Sequence, residues 1–140
     1  MDSLCWNSSP VLCTLLRYMN FFVTGGTGFL GSHFLASALG DGHQVMAIRR
    51  PESRPRISLT KEPTWCDGNL DDDWSRHLQK CDILVHLASA GVVSGSDNWE
   101  CCFRVNVTES LALWRQAIDS GVKKFLICGS CFEYGLSSLD

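Results

Sequence analysis

Short apolar runs alternate with longer amphipathic segments along most of this chain. Each run ends at turn residues, which is typical of a buried strand. The longer segments place apolar residues three and four positions apart, which is typical of a helix. The predicted strands cover residues 21–24, 44–48, 64–66, 83–87 and 125–128. Five strands separated by helical segments favour an α/β fold built on a parallel sheet.

Three of the intervening segments predict helices. The first begins at Phe29 and ends at residues 40–42, and its apolar face carries Leu30, Phe34, Leu35 and Ala38. The second covers 71–78, with acidic residues in its first turn, where the helix dipole favours them. The third covers 98–120 and is capped by Gly121. Its apolar residues at helical spacing are Phe103, Val107, Leu111, Trp114 and Ile118. Residues 51–63 contain three prolines and predict a loop or a broken helix.

Right-handed crossovers between these strands predict a doubly wound parallel sheet in the order 3-2-1-4-5, which is a Rossmann fold. Because the sequence stops at Asp140, we expect a sheet truncated after its fifth strand. Met19 directly precedes the first apolar run. We therefore predict that residues 1–18 are an N-terminal extension outside the fold and that residues 19–140 form one incomplete domain.

Composition excludes several classes of protein. Hydrophobic residues make up 45% of the 140 residues and charged residues 19%, which argues against disorder. A net charge of −3 without a long basic run argues against a nucleic-acid partner. No apolar stretch reaches the roughly 18 residues of a membrane span, so no membrane partner is expected.

The cysteine content indicates a reduced, cytoplasmic protein. A chain of this length and hydrophobicity does not need disulfides, so we interpret the cysteines as buried thiols. The eight positions are 5, 13, 66, 81, 101, 102, 128 and 131. A zinc site needs two closely spaced pairs, and only Cys128 and Cys131 have that spacing, so no metal site is predicted.

The turn after the first strand carries the first candidate chemistry. Its three glycines, Gly25, Gly28 and Gly31, form a G-x-x-G-x-x-G pattern between a predicted strand and a predicted helix. Gly25 permits the tight turn, Gly28 leaves the helix N-terminus open to a pyrophosphate, and Gly31 allows close packing of the helix. This context favours binding of a dinucleotide over a plain glycine-rich turn.

The glycine segment TGGTGFLG at 24–31 resembles the signature of the extended short-chain dehydrogenases/reductases, the NAD(P)-dependent sugar epimerases and dehydratases. Four later segments resemble that family in order and spacing. They are CDGNL at 66–70, HLASA at 86–90, VNVT at 105–108, and GVKKF with SCFEYG between 121 and 135. The resemblance covers about residues 19–136, and it implies an NAD(P)-binding domain of an oxidoreductase of nucleotide-sugar metabolism.

The resemblance assigns cofactor contacts residue by residue. It implies that Asp67 contacts the adenine. The remaining implied contacts are Gly25, Thr27, Gly28, Phe29, Leu30 and Gly31 in the turn and Leu87, Ala88 and Ser89 after the fourth strand. An Asp-Gly pair is also an ordinary turn, so a structural role for Asp67 stays open.

Two residues match positions of the family's active site. Ser130 matches its catalytic serine or threonine, and Asn106 matches the asparagine that orders the active-site helix and a bound water. The alternatives are a strand-end hydroxyl satisfying a turn at Ser130 and an amide bonded to backbone at Asn106. His86, in the same set of motifs, is interpreted as a packed strand residue.

The end of the second strand favours NADP(H) over NAD(H). An acidic residue about 20 positions after the glycine turn would bind the ribose 2′-hydroxyl, but Arg49 occupies that position. A guanidinium suits a 2′-phosphate. The alternative is that Arg49 and Arg50 are solvated loop charges.

The C-terminal part of the sequence limits the expected activity. The family's Tyr-x-x-x-Lys pair, which transfers a proton, is expected downstream of Ser130, and Tyr134 is followed by Ser138 where a lysine would stand. We therefore expect no oxidoreductase turnover from these 140 residues alone, and a nucleotide-sugar substrate only in a longer form. Exposed apolar surface makes a homodimer a further expectation.

Two other functions stay open from the sequence. One is a non-catalytic module that binds NAD(P). The other is a thiol–disulfide protein that uses the C-x-x-C pair Cys128 and Cys131. The residues that would identify the sugar are expected mostly downstream of Asp140, and the sequence does not separate epimerase, dehydratase and reductase.

Overall fold

The computed structural model describes residues 18–91 and 98–130. Its five strands form one parallel sheet in the order β3-β2-β1-β4-β5. They are β1 (Asn20–Thr24), β2 (Gln44–Arg49), β3 (Thr64–Asp67), β4 (Ile83–His86) and β5 (Lys124–Ile127). The predicted strand order is confirmed, and each predicted strand is found within one residue of its expected limits. The predicted extension 1–18 falls almost entirely outside the described residues.

Helices cover both faces of the sheet. They are α1 (Phe29–Gly40), α2 (Ser75–Leu78), α3 (Trp99–Phe103) and α4 (Ser110–Asp119), and a π-helical segment, Arg104–Glu109, joins α3 to α4. The π-helical segment is called the π segment below. Residues 50–63 contain neither helix nor strand, so the segment 51–63 takes the first of its two expected forms, a loop.

Neighbouring residues of the central strands point to opposite faces and separate two cores. Val23 and Val85 pack with α1 in one core, together with Leu35, Ala38, Leu39, Val45 and Ala47. Phe22 and Leu84 pack in the other core, together with Ile48, Leu70, Trp74, Leu78, Leu113, Ala117 and Val122. Because the central strands are buried on both faces, they read as continuous apolar runs in the sequence. The doubly wound prediction is confirmed.

The long C-terminal helix differs from its prediction in two ways. It is interrupted by the π segment, and most of the apolar residues that predicted it face outwards: Phe103, Leu111 and Ile118 are each more than half exposed. The face that packs on the sheet instead carries Leu113 and Ala117. The predicted cap is confirmed, because Gly121 has φ +89° and its N–H bonds to the carbonyl of Ile118.

Two smaller expectations were wrong. α2 begins at Ser75, four residues later than predicted, because Asp73 accepts the Ser75 N–H and the acidic residues precede the helix. Leu30, expected on the buried face of α1, is 58% exposed, since that face begins at Gly31 and Ser32.

The edge of the sheet at β5 leaves apolar surface exposed. Leu126 and Ile127 are 52% and 44% exposed, and β5 pairs with β4 on one side only within the described residues. An exposed edge of this kind is a template for pairing with another chain. The homodimer stays a prediction.

The thiols are less buried than expected. The five described cysteines, Cys66, Cys81, Cys101, Cys102 and Cys128, are free thiols, of which Cys128 is exposed and the others are half-buried. Burial raises the pKa of the Cys81 thiol to about 11, so this residue stays protonated and packs as a small apolar group. No helix of the described part of the chain is both long and apolar enough to cross a membrane.

Candidate functional site

The candidate site lies along one edge of the sheet. In a parallel sheet the carboxyl ends of all strands meet at the same edge, where doubly wound folds bind their ligands. The glycine turn follows β1, Arg49 and Asp67 end β2 and β3, and Ser89 and Ser130 follow β4 and β5. The fold therefore brings the residues proposed from the sequence for the site to this edge. Most of them lie at strand ends or in the turns that follow, whereas Asn106 reaches the edge from the π segment.

The turn after β1 is compact because two glycines meet backbone there. Gly25 has φ +71°, and a Cβ at this position would lie 2.5 Å from the carbonyl carbon of Leu87. A Cβ on Gly31 would lie 2.0 Å from the carbonyl oxygen of Gly25, so the first turn of α1 packs directly on the loop. Both positions therefore require glycine for the reasons that the motif implies.

Ser32 stabilises the same turn from inside. Its buried hydroxyl donates to the carbonyl of Gly28 at 2.6 Å and accepts the N–H of Arg56 at 2.8 Å. The serine therefore ties the loop 50–63 to the glycine turn. This role of Ser32 was not predicted from the sequence, where the available signal is a serine directly after the last glycine of the turn.

The N-terminus of α1 is open at the edge of the sheet. Its N-cap, Gly28, has no side chain, and the first turn carries no acidic residue. No side chain of residues 18–91 or 98–130 caps the helix. Phe29 and Leu30 beside it are 69% and 58% exposed. The start of this 12-residue helix presents backbone N–H groups and the positive end of the helix dipole, which favour a negatively charged group.

Arg49 and Asp67 were assigned separately from the sequence, and the structure brings them into contact. Arg49 Nε donates to Asp67 Oδ1 at 2.8 Å, because β2 and β3 pair in register at these two residues. The guanidinium also lies over the ring of Trp65, 4.9 Å from its centroid. Arg49 is therefore a positioned cation at the end of β2 and not a solvated loop charge.

The loop after β4 is held by side chains from two other elements. The N–H of Ala88 donates to the hydroxyl of Thr24 at 3.2 Å. The amide of Asn106 makes two bonds to Ala90, accepting its N–H at 2.8 Å and donating to its carbonyl at 3.0 Å. Asn106 thus forms backbone contacts, which is the simpler of its two interpretations, and it shapes the loop that carries Ser89.

His86 is buried beneath this loop. Nδ1 lies 2.9 Å from the hydroxyl of Thr24, and Nε2 lies 2.9 Å from the hydroxyl of Ser110. The ring also contacts Trp114 edge to face. Burial lowers the pKa of His86 to about 4, so the imidazole is neutral at neutral pH. The packed role expected of His86 is confirmed, but its two hydroxyl partners were missed.

Ser130 is exposed and lies three residues after β5, at the same edge as Ser89. The exposed thiol of Cys128 precedes it, whereas Cys131 and Tyr134 lie outside the described residues. Among residues 18–91 and 98–130, no three His, Cys, Asp or Glu side chains come together as a metal site.

The fold and this edge define the class of protein, a Rossmann-type α/β protein. The model of the NAD dependent epimerase/dehydratase family matches residues 21–139. The chain belongs to that family.

Curated and solved relatives agree with this assignment. The chain is 28% identical over 131 residues to the UDP-glucose 4-epimerase of Erwinia amylovora, covering 84% of this chain and 38% of that protein. It is 27% identical over 116 residues to the decarboxylating sterol-4-alpha-carboxylate 3-dehydrogenase of Dictyostelium discoideum, covering 79% and 35%. The structure of UDP-glucose 4-epimerase from Stenotrophomonas maltophila with bound NAD and formylated UDP-arabinopyranose superposes with a TM-score of 0.73 at 26% identity, covering 84% and 39%. The chain spans 34–38% of the length of the first curated relatives.

Proposed function

We propose that this chain is the dinucleotide-binding part of an NAD(P)-dependent epimerase/dehydratase-like oxidoreductase that acts on a nucleotide-activated sugar. The observation that carries the proposal is the open N-terminus of α1 at Gly28, which lies at the carboxyl edge of the sheet. The family membership and the UDP-glucose 4-epimerases among the relatives support it.

The residues at this edge fit a dinucleotide. The free N–H groups at the start of α1 would bind the pyrophosphate, and Gly28 leaves room for it. Arg49, Trp65 and Asp67 lie together at the ends of β2 and β3, where the adenosine would bind. The loop that carries Ser89 would border the rest of the cofactor. The nicotinamide supplies the hydride acceptor or donor.

Within this proposal Ser130 is the one catalytic residue in the described part of the chain. Its hydroxyl would hydrogen-bond the substrate oxygen that gains or loses a proton. Asn106 acts by shaping the loop after β4. A proton-transferring Tyr-x-x-x-Lys pair is expected from a longer form, in which the nucleotide sugar would also bind. The protein is proposed to act in the cytoplasm.

NADP(H) is the proposed dinucleotide. Arg49 pairs with Asp67 through its Nε atom. Within the described residues, neither Nη group of Arg49 takes part in a hydrogen bond or ion pair. Those two groups can donate to a 2′-phosphate. Asp67 lowers the net charge that the phosphate would meet, so the preference over NAD(H) is expected to be modest.

Calorimetric titration of the 140-residue chain with NAD⁺ and NADP⁺ tests the proposal. We expect binding of at least one dinucleotide, and a loss of at least tenfold in affinity for Gly28→Ala, whose new methyl group lies at the helix N-terminus. Gly40→Ala is the matched control, because it adds the same methyl group at the far end of α1, where a Cβ meets no atom within 4 Å. Absence of binding by the unchanged chain, or equal loss in both variants, contradicts the proposal.

A second measurement separates binding from turnover. With UDP-glucose and either dinucleotide we expect the 140-residue chain to form no new nucleotide sugar, as measured by chromatography of the products. Product analysis is needed because an epimerase or dehydratase returns the hydride to its substrate and leaves no net NAD(P)H to detect by absorbance. If a longer form also bound the dinucleotide without substrate-dependent turnover, the non-catalytic binding module would be the correct function. Among the described residues the Cys128 thiol donates to the carbonyl of Gly129, which gives the thiol–disulfide alternative no support, and Cys131 lies outside them.

A further inference from the structure

We propose that His86 is a positioning residue, which as the neutral Nε2–H tautomer links Thr24 to Ser110 and thereby sets the π segment against the loop after β4. The geometry that carries this inference is a chain of hydrogen bonds that runs from the end of β1, through β4, into the long helix. The inferred effect of His86 on dinucleotide binding rests on the proposed function. The hydrogen bonds themselves, called the frame below, do not depend on it.

The tautomer follows from counting protons. The hydroxyl of Ser110 donates to the carbonyl of Val105 at 2.8 Å, so its single proton is used there. Toward Nε2 of His86 the same hydroxyl oxygen must accept, and Nε2 therefore carries the imidazole proton.

The other ring nitrogen is then an acceptor. Nδ1 of neutral His86 accepts the hydroxyl proton of Thr24, and the oxygen of Thr24 accepts the N–H of Ala88. This one assignment of protons therefore satisfies every donor in the series, which begins at the N–H of Ala88 and ends at the carbonyl of Val105. Protonation of Nδ1 would break it, because Nδ1 and the hydroxyl of Thr24 would then both present donors to each other.

The π segment is coupled to this series of hydrogen bonds, because its wide turn brings the hydroxyl of Ser110 to the carbonyl of Val105. Val105 and Ser110 are five residues apart, which is the spacing of a π turn, and the serine hydroxyl takes up the carbonyl at this point. Arg104 and Glu109 have the same spacing and form an ion pair. The extra residue in the turn places Asn106 opposite Ala90, where its amide bonds both backbone groups.

The frame therefore holds the loop after β4 at two points. Thr24 accepts the N–H of Ala88, and Asn106 accepts the N–H of Ala90. Beneath the loop His86 links Thr24 to Ser110, whose hydroxyl bonds the carbonyl of the residue before Asn106. Ser89, between them, is exposed at the edge of the sheet. A shift of the π segment would release Ala90 first, without unfolding the sheet.

Three variants test the role of the frame. Ser110→Ala removes the acceptor of Nε2–H, and Ser110→Thr keeps a hydroxyl. Ser120→Ala is the matched control, since it removes the hydroxyl at the C-cap of α4, which also donates to a backbone carbonyl, that of Ser75. Nitrogen-15 NMR of the imidazole identifies the tautomer of His86. Hydrogen exchange measures the exchange rate of the Ala90 amide, and calorimetric titration measures the affinity for NAD(P)⁺.

We expect the Nε2–H tautomer of His86 in the unchanged chain. In Ser110→Ala we expect about tenfold faster exchange at Ala90 and about tenfold weaker dinucleotide binding, as for one lost buried hydrogen bond. Both should return to within about twofold in Ser110→Thr and stay unchanged in Ser120→Ala.

An Nδ1–H tautomer or an imidazolium in the unchanged chain overturns the proposal, and this holds even if Ser110→Ala does not fold. Faster exchange spread evenly over the sheet, with no excess at Ala90, would show a merely structural role and also overturns it. If the unchanged chain binds no dinucleotide, the proposed function fails, while the tautomer and the Ala90 amide still decide the role of His86.

Discussion

Arg49 and Asp67, which the sequence assigned to two different parts of a dinucleotide, form an ion pair of 2.8 Å at adjacent strand ends. The pair is partly exposed, so it contributes little to stability, at most about 1 kcal/mol. Its importance lies in the charge that a 2′-phosphate would meet at the end of β2.

Releasing Arg49 should strengthen the preference for NADP⁺. We expect Asp67→Asn to raise the affinity ratio of NADP⁺ to NAD⁺ by about tenfold, because a charge-assisted hydrogen bond contributes about 1.5 kcal/mol. Asp71→Asn, which removes the same charge at an exposed position outside the strands, is the control. Titration with both dinucleotides measures the ratio, and an equal increase in the two variants would attribute it to net charge alone.

Gly31 should tolerate no side chain. A Cβ there would overlap the carbonyl oxygen of Gly25, so we expect Gly31→Ala to lower the free energy of unfolding by about 3 kcal/mol. Gly40→Ala adds the same methyl group to the same helix in open space and should change stability by less than about 1 kcal/mol. Urea unfolding followed by tryptophan fluorescence compares them, and similar midpoints in the two variants would refute the close packing of the turn.

His86 should make the protein less stable in acid. The pKa of His86 is lowered to about 4 in the folded protein by burial, whereas its ordinary value is 6.5. Between these values the unfolded chain binds more protons, so stability is complete above pH 6.5 and falls as the pH decreases towards 4. The loss reaches about 3 kcal/mol. Its partners are the hydroxyls of Thr24 and Ser110 and the ring of Trp114, and none of these is acidic.

Urea unfolding of the unchanged chain and of His86→Gln at pH 7 and pH 4.5 isolates this effect, because the carboxylates titrate in both. The stability difference between the two proteins should shrink by about 2 kcal/mol at the lower pH. His33→Gln, at an exposed position on α1, controls for the loss of an imidazole. A difference that is independent of pH would contradict the neutral, buried state of His86.

The amide of Asn106 should matter for the loop and not for global stability. We expect Asn106→Ala to weaken dinucleotide binding about tenfold and to change the free energy of unfolding by less than about 1 kcal/mol, since its two bonds to Ala90 are exposed. Gln116 offers a matched control, because its amide also makes two backbone bonds, to Trp74 and Asp72, away from the site. Gln116→Ala should leave the affinity unchanged, and equal weakening in both variants would remove the loop from the explanation.

Local patterns in the sequence determined the elements and their order. Apolar runs and turn residues located all five strands, and the handedness of crossovers ordered them in the sheet, because both depend on neighbouring residues and on chirality. The glycine turn was equally readable, since Gly25 and Gly31 are required by backbone geometry within seven residues. The sequence did not predict which face of the long helix is exposed, because the spacing of apolar residues does not determine which face packs on the sheet.

The contacts within the site were decided by the tertiary structure. Arg49 meets Asp67 through the register of two strands, and His86 meets Thr24 62 residues earlier and Ser110 24 residues later. These contacts join groups that are distant in sequence. The contact of His86 with Ser110 also involves the end of the π segment, which the apolar periodicity did not predict. The sequence alone therefore determined which strands and turns build the edge, while packing across the sheet determined which side chains act together there.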